Sequence, residues 1–144
     1  MIIYDGKYDW SGKKKNHYRP ISWWPGFYNI KIIDLSMHNP KIRMIKPVII
    51  VVSDTGKGFS AKNYFQNFAK NICRDFDLDF DKILWIVYYP KEPAYMEVAR
   101  FRKVTTIGGD NLYSVTWRPV IPNEIEAIKP FFPEAEKIAA YIKV

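Results

Sequence analysis

Cysteine is almost missing from this 144-residue chain, which has only Cys73. That excludes a disulfide framework and a zinc site built on clustered cysteines. Histidine is nearly as scarce: His17 and His38 are the only two, and neither stands at metal-ligand spacing from the other. Apolar runs are short. The stretch Pro47–Val52 (PVIIVV) is far below the ~20 residues that a membrane-spanning helix needs. The opening residues MIIYDGKYDWSGKKK contain no apolar core of a secretion signal and carry Asp5 and Asp9. These absences point to a soluble, cytoplasmic protein with no metal, no cofactor and no membrane partner.

Aromatic residues and positive charge are plentiful. Phe, Trp and Tyr make up 17% of the chain, and 22 Lys/Arg stand against 15 Asp/Glu, a net charge of +7. A hydrophobic content of 48% is that of a globular protein, and the length supports one core, hence a single domain over residues 1–144. The charge is uneven. Residues 1–60 hold ten Lys/Arg and four Asp/Glu, whereas residues 61–144 hold twelve and eleven. Such asymmetry suits a polyanionic or acidic partner.

The first 26 residues read as an irregular basic and aromatic arm packed on the domain, because Gly6, Gly12, Pro20, Pro25 and Gly26 interrupt every period. Residues 27–35 and 42–53 read as strands joined by a loop at Ser36–Pro40, with Pro47 marking an edge, a bulge or the true start of the second strand. The apolar positions Ala61, Tyr64, Phe65, Phe68, Ala69, Ile72, Cys73 and Phe76 then form one stripe of 3.6-residue period, predicting a helix over 61–76 capped by Ser60. Ile83–Tyr89 (ILWIVYY) is apolar at every position, as a central strand covered on both faces should be. Two further strands, 95–104 and 112–118, flank a turn at Gly108–Asn111, with Tyr113, Val115 and Trp117 facing one side. Pro122 suits the first turn of a short helix that Pro130 ends, and another apolar stripe follows Pro133. The expected fold is α+β: a mostly antiparallel sheet of four to five strands crossed by one long helix, with two short C-terminal helices.

Three local patterns could carry chemistry. Asp54-Thr55-Gly56-Lys57-Gly58 lies between a buried strand and a helix, a context suited to cradling an anion on backbone N–H groups. Over those five residues it resembles the adenine-contacting box of the GHKL ATPase family. That family also requires an upstream helix with a magnesium-holding Asn and a second glycine-rich lid, and this chain offers neither, so no nucleotide site is assigned. Asp75, Asp77, Asp79 and Asp81 alternate as in a calcium loop, but Phe80 and Ile86 stand where an EF-hand needs Gly and Glu. They read instead as a helix exit whose Phe and Leu anchor into the core. Cys73 lies on the apolar stripe, where a thiol behaves as a small hydrophobe. No catalytic residue is singled out.

The stronger pattern is cationic. Lys13, Lys14, Lys15, His17 and Arg19 are interleaved with Tyr18, Trp23 and Trp24; cations steer a polyanion and exposed rings stack on unpaired bases. On the predicted helix, Lys62, Gln66, Lys70 and Arg74 recur every four residues, and these types pair with phosphates and base edges. The expected function is therefore that of a non-enzymatic accessory protein binding nucleic acid, single-stranded or RNA, through a basic, aromatic-rich surface. One alternative is a protein-interaction module docking an acidic partner. Another is a small basic ribonuclease using His17 for proton transfer.

Overall fold

Strand β4 (Leu84–Tyr89) is buried at all six positions and forms the spine of the sheet. It is seen in a computed structural model that describes residues 2–9, 27–35, 47–53, 65–91, 93–105, 107–109 and 111–139. Before it come β1 (Ile2–Asp9), β2 (Phe27–Asp34), β3 (Pro47–Val52), helix α1 (Phe65–Phe76) and a 3-10 turn at Phe80–Lys82. After it come β5 (Tyr95–Thr105), β6 (Asn111–Pro119) and helices α2 (Pro122–Ile128) and α3 (Ala135–Ala139). The six strands lie in sequence order, and every neighbouring pair is antiparallel except β3 and β4. The fold is thus α+β with a mostly antiparallel sheet.

Parallel pairing of β3 and β4 requires a crossover, and the segment containing α1 supplies it. Strand alternation then sends Ile49, Val51, Trp85, Val87 and Tyr89 to the α1 face, where they pack with Phe65, Phe68, Ala69 and Ile72. Val48, Ile50, Leu84, Ile86 and Tyr88 point the other way and are covered by Ile125, Ile128, Phe132, Ala135 and Ile138 from the C-terminal helices. Lys31 helps to hold that second cover. Its Nζ donates to the Phe131 carbonyl at 2.5 Å, stands 5.7 Å from the Phe132 ring centroid, and pairs with Asp5 at 3.5 Å.

The sheet has one strand more than the four or five expected. Ile2–Asp9, part of the segment read as irregular, pairs along β2 from Ile2↔Ile33 to Asp9↔Phe27, with a register shift between Ile2 and Tyr4. Gly6 does not break it: the Tyr4 side chain lies within van der Waals reach of where a Gly6 Cβ would stand, and the Tyr4 hydroxyl donates to the Lys7 carbonyl at 2.6 Å. Tyr8 closes the α1-side core edge-on to Phe68 and donates its hydroxyl to Asp75. Pro47 is the first residue of β3, where the missing N–H costs no interior ladder bond. The helical positions 61–64 and the Ser60 cap lie outside the described residues.

The C-terminus of α1 falls at Phe76, as the apolar stripe predicts. Asp77 adopts φ 57°, and the Leu78 N–H returns to the Cys73 carbonyl at 3.0 Å, a Schellman closure. Leu78 and Phe80 pack on the core while Asp77, Asp79 and Asp81 stay exposed, so the alternating aspartates are a helix exit. Among the described residues no three His, Cys, Asp or Glu side chains are grouped to hold a metal ion. Left-handed backbone costs a non-glycine residue about 1–2 kcal/mol, offset by the greater entropy glycine loses on folding. Asp77→Gly should therefore raise stability by about 0.5 kcal/mol, and Asp77→Val should lower it by more than 1 kcal/mol. Urea unfolding of the two variants checks the order, and a destabilised glycine variant would contradict it.

Candidate nucleic-acid interface

Strand β4 pairs with β5 only from Tyr95 to Ala99. Residues 100–105 of β5 continue past it, bonded only to β6 in unbroken register to Thr105↔Asn111. The result is a two-stranded ribbon about 20 Å long, at roughly 3.4 Å per residue. Its turn carries Gly109 at φ 89° and a fully exposed Ile107.

Alternation divides the side chains of this ribbon. Phe101, Tyr113 and Val115 face the α1 side. There Phe101 and Tyr113 meet Phe80 at ring-centroid distances of 4.4 and 4.7 Å, and Phe101 stacks on Phe65 at 6.1 Å. These rings brace the ribbon against Phe65 of α1 and the 3-10 turn at Phe80. The opposite face continues the row of Met96 and Val98 with Arg100, Arg102 and Val104, beside Thr116 and Ser114. Arg100 stands across from Thr116 and Arg102 across from Ser114. All of them are exposed, because the cover by α2 and α3 ends at Val98 and Val120. Among the described residues the side chains of Arg100 and Arg102 have no hydrogen bond or ion pair. Lys103 is exposed on the α1-side face.

Arg118 differs. Its guanidinium grips Glu124 through Nη1–Oε1 at 3.0 Å and Nη2–Oε2 at 2.6 Å, while Glu124 Oε1 also accepts the Ile121 N–H at 3.0 Å. The hydrogen bonds to Glu124 push the Arg118 pKa further above its ordinary range; partial burial opposes this and the carboxylate charge adds to it. Glu124 is buried, so its charge is tolerated only because both oxygens are bonded. This pair anchors the start of α2 to β6 and forms one wall of an open cleft of about 440 Å³, with Asp81, Leu84, Val98 and Arg100 among its other lining residues.

The cationic residues predicted from the sequence divide in two. Lys13, Lys14, Lys15, His17, Arg19, Trp23, Trp24 and Lys62 lie outside the described residues, so the basic arm and the His17 ribonuclease alternative rest on the sequence alone. The Asp54–Gly58 segment lies outside them as well. Gln66, Lys70 and Arg74 occupy the outer side of α1, with Lys70 and Arg74 exposed. Lys70 Nζ stands 5.7 Å from the centroid of the Tyr113 ring, joining the helix to the ribbon, while Arg74 Nε is 3.3 Å from Asp75 Oδ1. Among the described residues, Tyr4, Tyr8 and the aromatic side chains from Phe65 to Phe132 are buried or half-buried, so they do not form the stacking platform expected for single strands.

Sequence reasoning passed over Arg100, Arg102 and Lys103. The available signal was an Arg-x-Arg-Lys strand facing a Ser-x-Thr strand, with no acidic residue from 98 to 109. It also passed over Glu97, a buried carboxylate that accepts the Tyr89 hydroxyl at 2.9 Å beside Tyr95. Burial, and secondly the Glu97 charge, raise the Tyr95 pKa.

Comparison with known proteins adds no family: no family model, curated protein or solved structure matches the chain.

Two outcomes follow from these contacts. Glu124→Ala, which strands Arg118 and opens the α2 cap, should cost about 2–3 kcal/mol in urea unfolding, with Glu124→Gln costing less because it keeps an acceptor for the Ile121 N–H. Cys73, buried on α1, is pushed up to about 12 by burial, with Asp79 adding to the effect. The unfolded thiol ionises from about 8.5, so the folded form binds more protons above that pH and stability falls until the folded thiol itself ionises. Cys73→Ala should flatten the loss of stability between pH 9 and 11, and native protein should resist an aromatic disulfide reagent at pH 8; rapid labelling would contradict the burial.

Proposed function

We propose that this chain is a non-enzymatic accessory protein that binds nucleic acid. The observation carrying the reading is the projecting β5–β6 ribbon, on which Arg100 and Arg102 are exposed cations on one face and Lys103 on the other, the face that Lys70 of α1 approaches at Tyr113. Held in solvent with no carboxylate among the described residues bonded to Arg100 or Arg102, these cations retain their capacity for a polyanion. The basic arm, with Lys13, Lys14, Lys15, His17 and Arg19, adds long-range attraction without needing a fixed geometry. The aromatic braces Phe80, Phe101 and Tyr113 keep the ribbon ordered before contact, which lowers the entropic cost of association.

Phosphate contacts release counterions, so affinity must fall with salt. If four cations engage phosphates, the slope of log affinity against log salt is about −2.8 for a single strand to −3.6 for duplex DNA. Fluorescence anisotropy with labelled oligonucleotides should then show a loss of about 50- to 150-fold between 50 and 200 mM salt. A salt-independent signal, or none at low salt, overturns the reading. Partners retained in a pull-down after nuclease treatment would favour the acidic-protein alternative.

A further inference from the structure

We propose that the β5–β6 ribbon docks in the major groove of duplex DNA, with the face bearing Arg100, Arg102, Val104, Ser114 and Thr116 turned to the base edges. This rests on the nucleic-acid reading above and specifies its ligand. Three observations converge on it.

The first is chemical. A major-groove floor presents guanine O6 and N7 acceptors, other donors and acceptors, and the thymine methyl. The outer face meets these with two forked guanidinium groups, two hydroxyls and Val104, which is 43% exposed. Arg100 and Arg102 are two residues apart on one strand, roughly 7 Å, which matches two base-pair steps of about 3.4 Å each.

The second is dimensional. A groove about 12 Å wide admits a two-stranded ribbon. Here the ribbon stands clear of β4 beyond Ala99, and the cover by α2 and α3 stops short of it. Its length corresponds to about six base pairs.

The third is the placement of charge on both sides of the ribbon. Lys103 and Lys70 lie exposed on the side opposite Arg100 and Arg102, Lys70 beside Tyr113, so positive charge is available to phosphates as well as to base edges. Single-stranded ligands are favoured less because the described rings that would stack on bases are packed. An RNA duplex is disfavoured because its A-form major groove is too narrow for side chains to read.

The test is fluorescence anisotropy at low salt with the full chain and four 20-nucleotide probes of one mixed sequence. They are a DNA duplex, the same duplex with 7-deazaguanine replacing guanine, an RNA duplex and single-stranded DNA. The modified base removes the N7 acceptor from the major groove and leaves the minor groove and backbone unchanged. The native DNA duplex should bind at least tenfold more tightly than the RNA duplex and several-fold more tightly than the 7-deazaguanine duplex. Arg100→Ala combined with Arg102→Ala should lose about tenfold and become indifferent to the modification. The paired Lys variants, which preserve charge if the alanine pair fails to fold, should retain salt-dependent binding but lose that sensitivity. Lys91→Ala, at the β4–β5 connection, should change nothing.

Equal binding of the native and modified duplexes, of the DNA and RNA duplexes, or of the wild type and the alanine pair overturns the proposal. If single-stranded DNA is bound with a steep salt dependence and the duplex is not, the groove proposal falls while nucleic-acid binding stands. If no probe is bound, both fall. An acidic peptide that displaces the duplex at equal charge concentration overturns it in favour of a protein ligand.

Discussion

The parallel pairing of β3 with β4 is the constraint on which the rest of the molecule depends. A parallel pair needs a crossover, and its strands are stable only when both faces are covered. Here α1 lies in the crossover and covers one face, so the other must be closed by a separate piece of chain. The C-terminal helices do this, held by the Lys31 contacts with Phe131 and Phe132 and by the Arg118–Glu124 pair. Covering is therefore densest at β3 and β4 and thins toward β6. The ribbon exists because the sheet outruns its helices.

That gradient explains why one strand can serve two purposes. β5 is buried on both faces from Met96 to Ala99, where it lies beside β4, and exposed on its outer face from Arg100 onward. The change falls where the ladder to β4 ends. Apolar residues before it contribute burial, and charged residues after it stay hydrated at little cost. Phe101 and Tyr113 reach back to Phe80, so the projecting half is supported on one side only. This leaves a stiff arm with one bare, cationic, hydroxyl-bearing face.

Much of the architecture was legible in the sequence wherever a local rule and a tertiary need agreed. The stripe ending at Phe76, Pro122 opening a helix and the wholly apolar run at 83–89 each have one physical solution, whereas Pro47 left an edge, a bulge and a strand start open and the structure selects the start. β1 was not legible, because Gly6 and the neighbouring charges look like interruptions until β2 is alongside to pair with them. Glu97 was hidden for a related reason. A carboxylate interrupts the apolar set of Tyr95, Ala99 and Phe101, and only the fold shows that this side of β5 is covered there and that Tyr89 supplies its bond. The ribbon strands were foreseen, but which residue stands across from which is a matter of register. Arg100 beside Thr116 emerges only from pairing. Of the residues foreseen for the interface, Gln66, Lys70 and Arg74 can be placed, and only Lys70 is brought to the ribbon, by its contact with Tyr113.

The Lys31–Phe131 contact joins positions 100 residues apart. During synthesis, the slab formed by Ile33, Ile50, Ile86 and Met96 must wait for Pro122–Ala139 to emerge before its second side is shielded. Until then that apolar plane is open to unwanted association, and the arrival of α2 and α3 is the step that closes it.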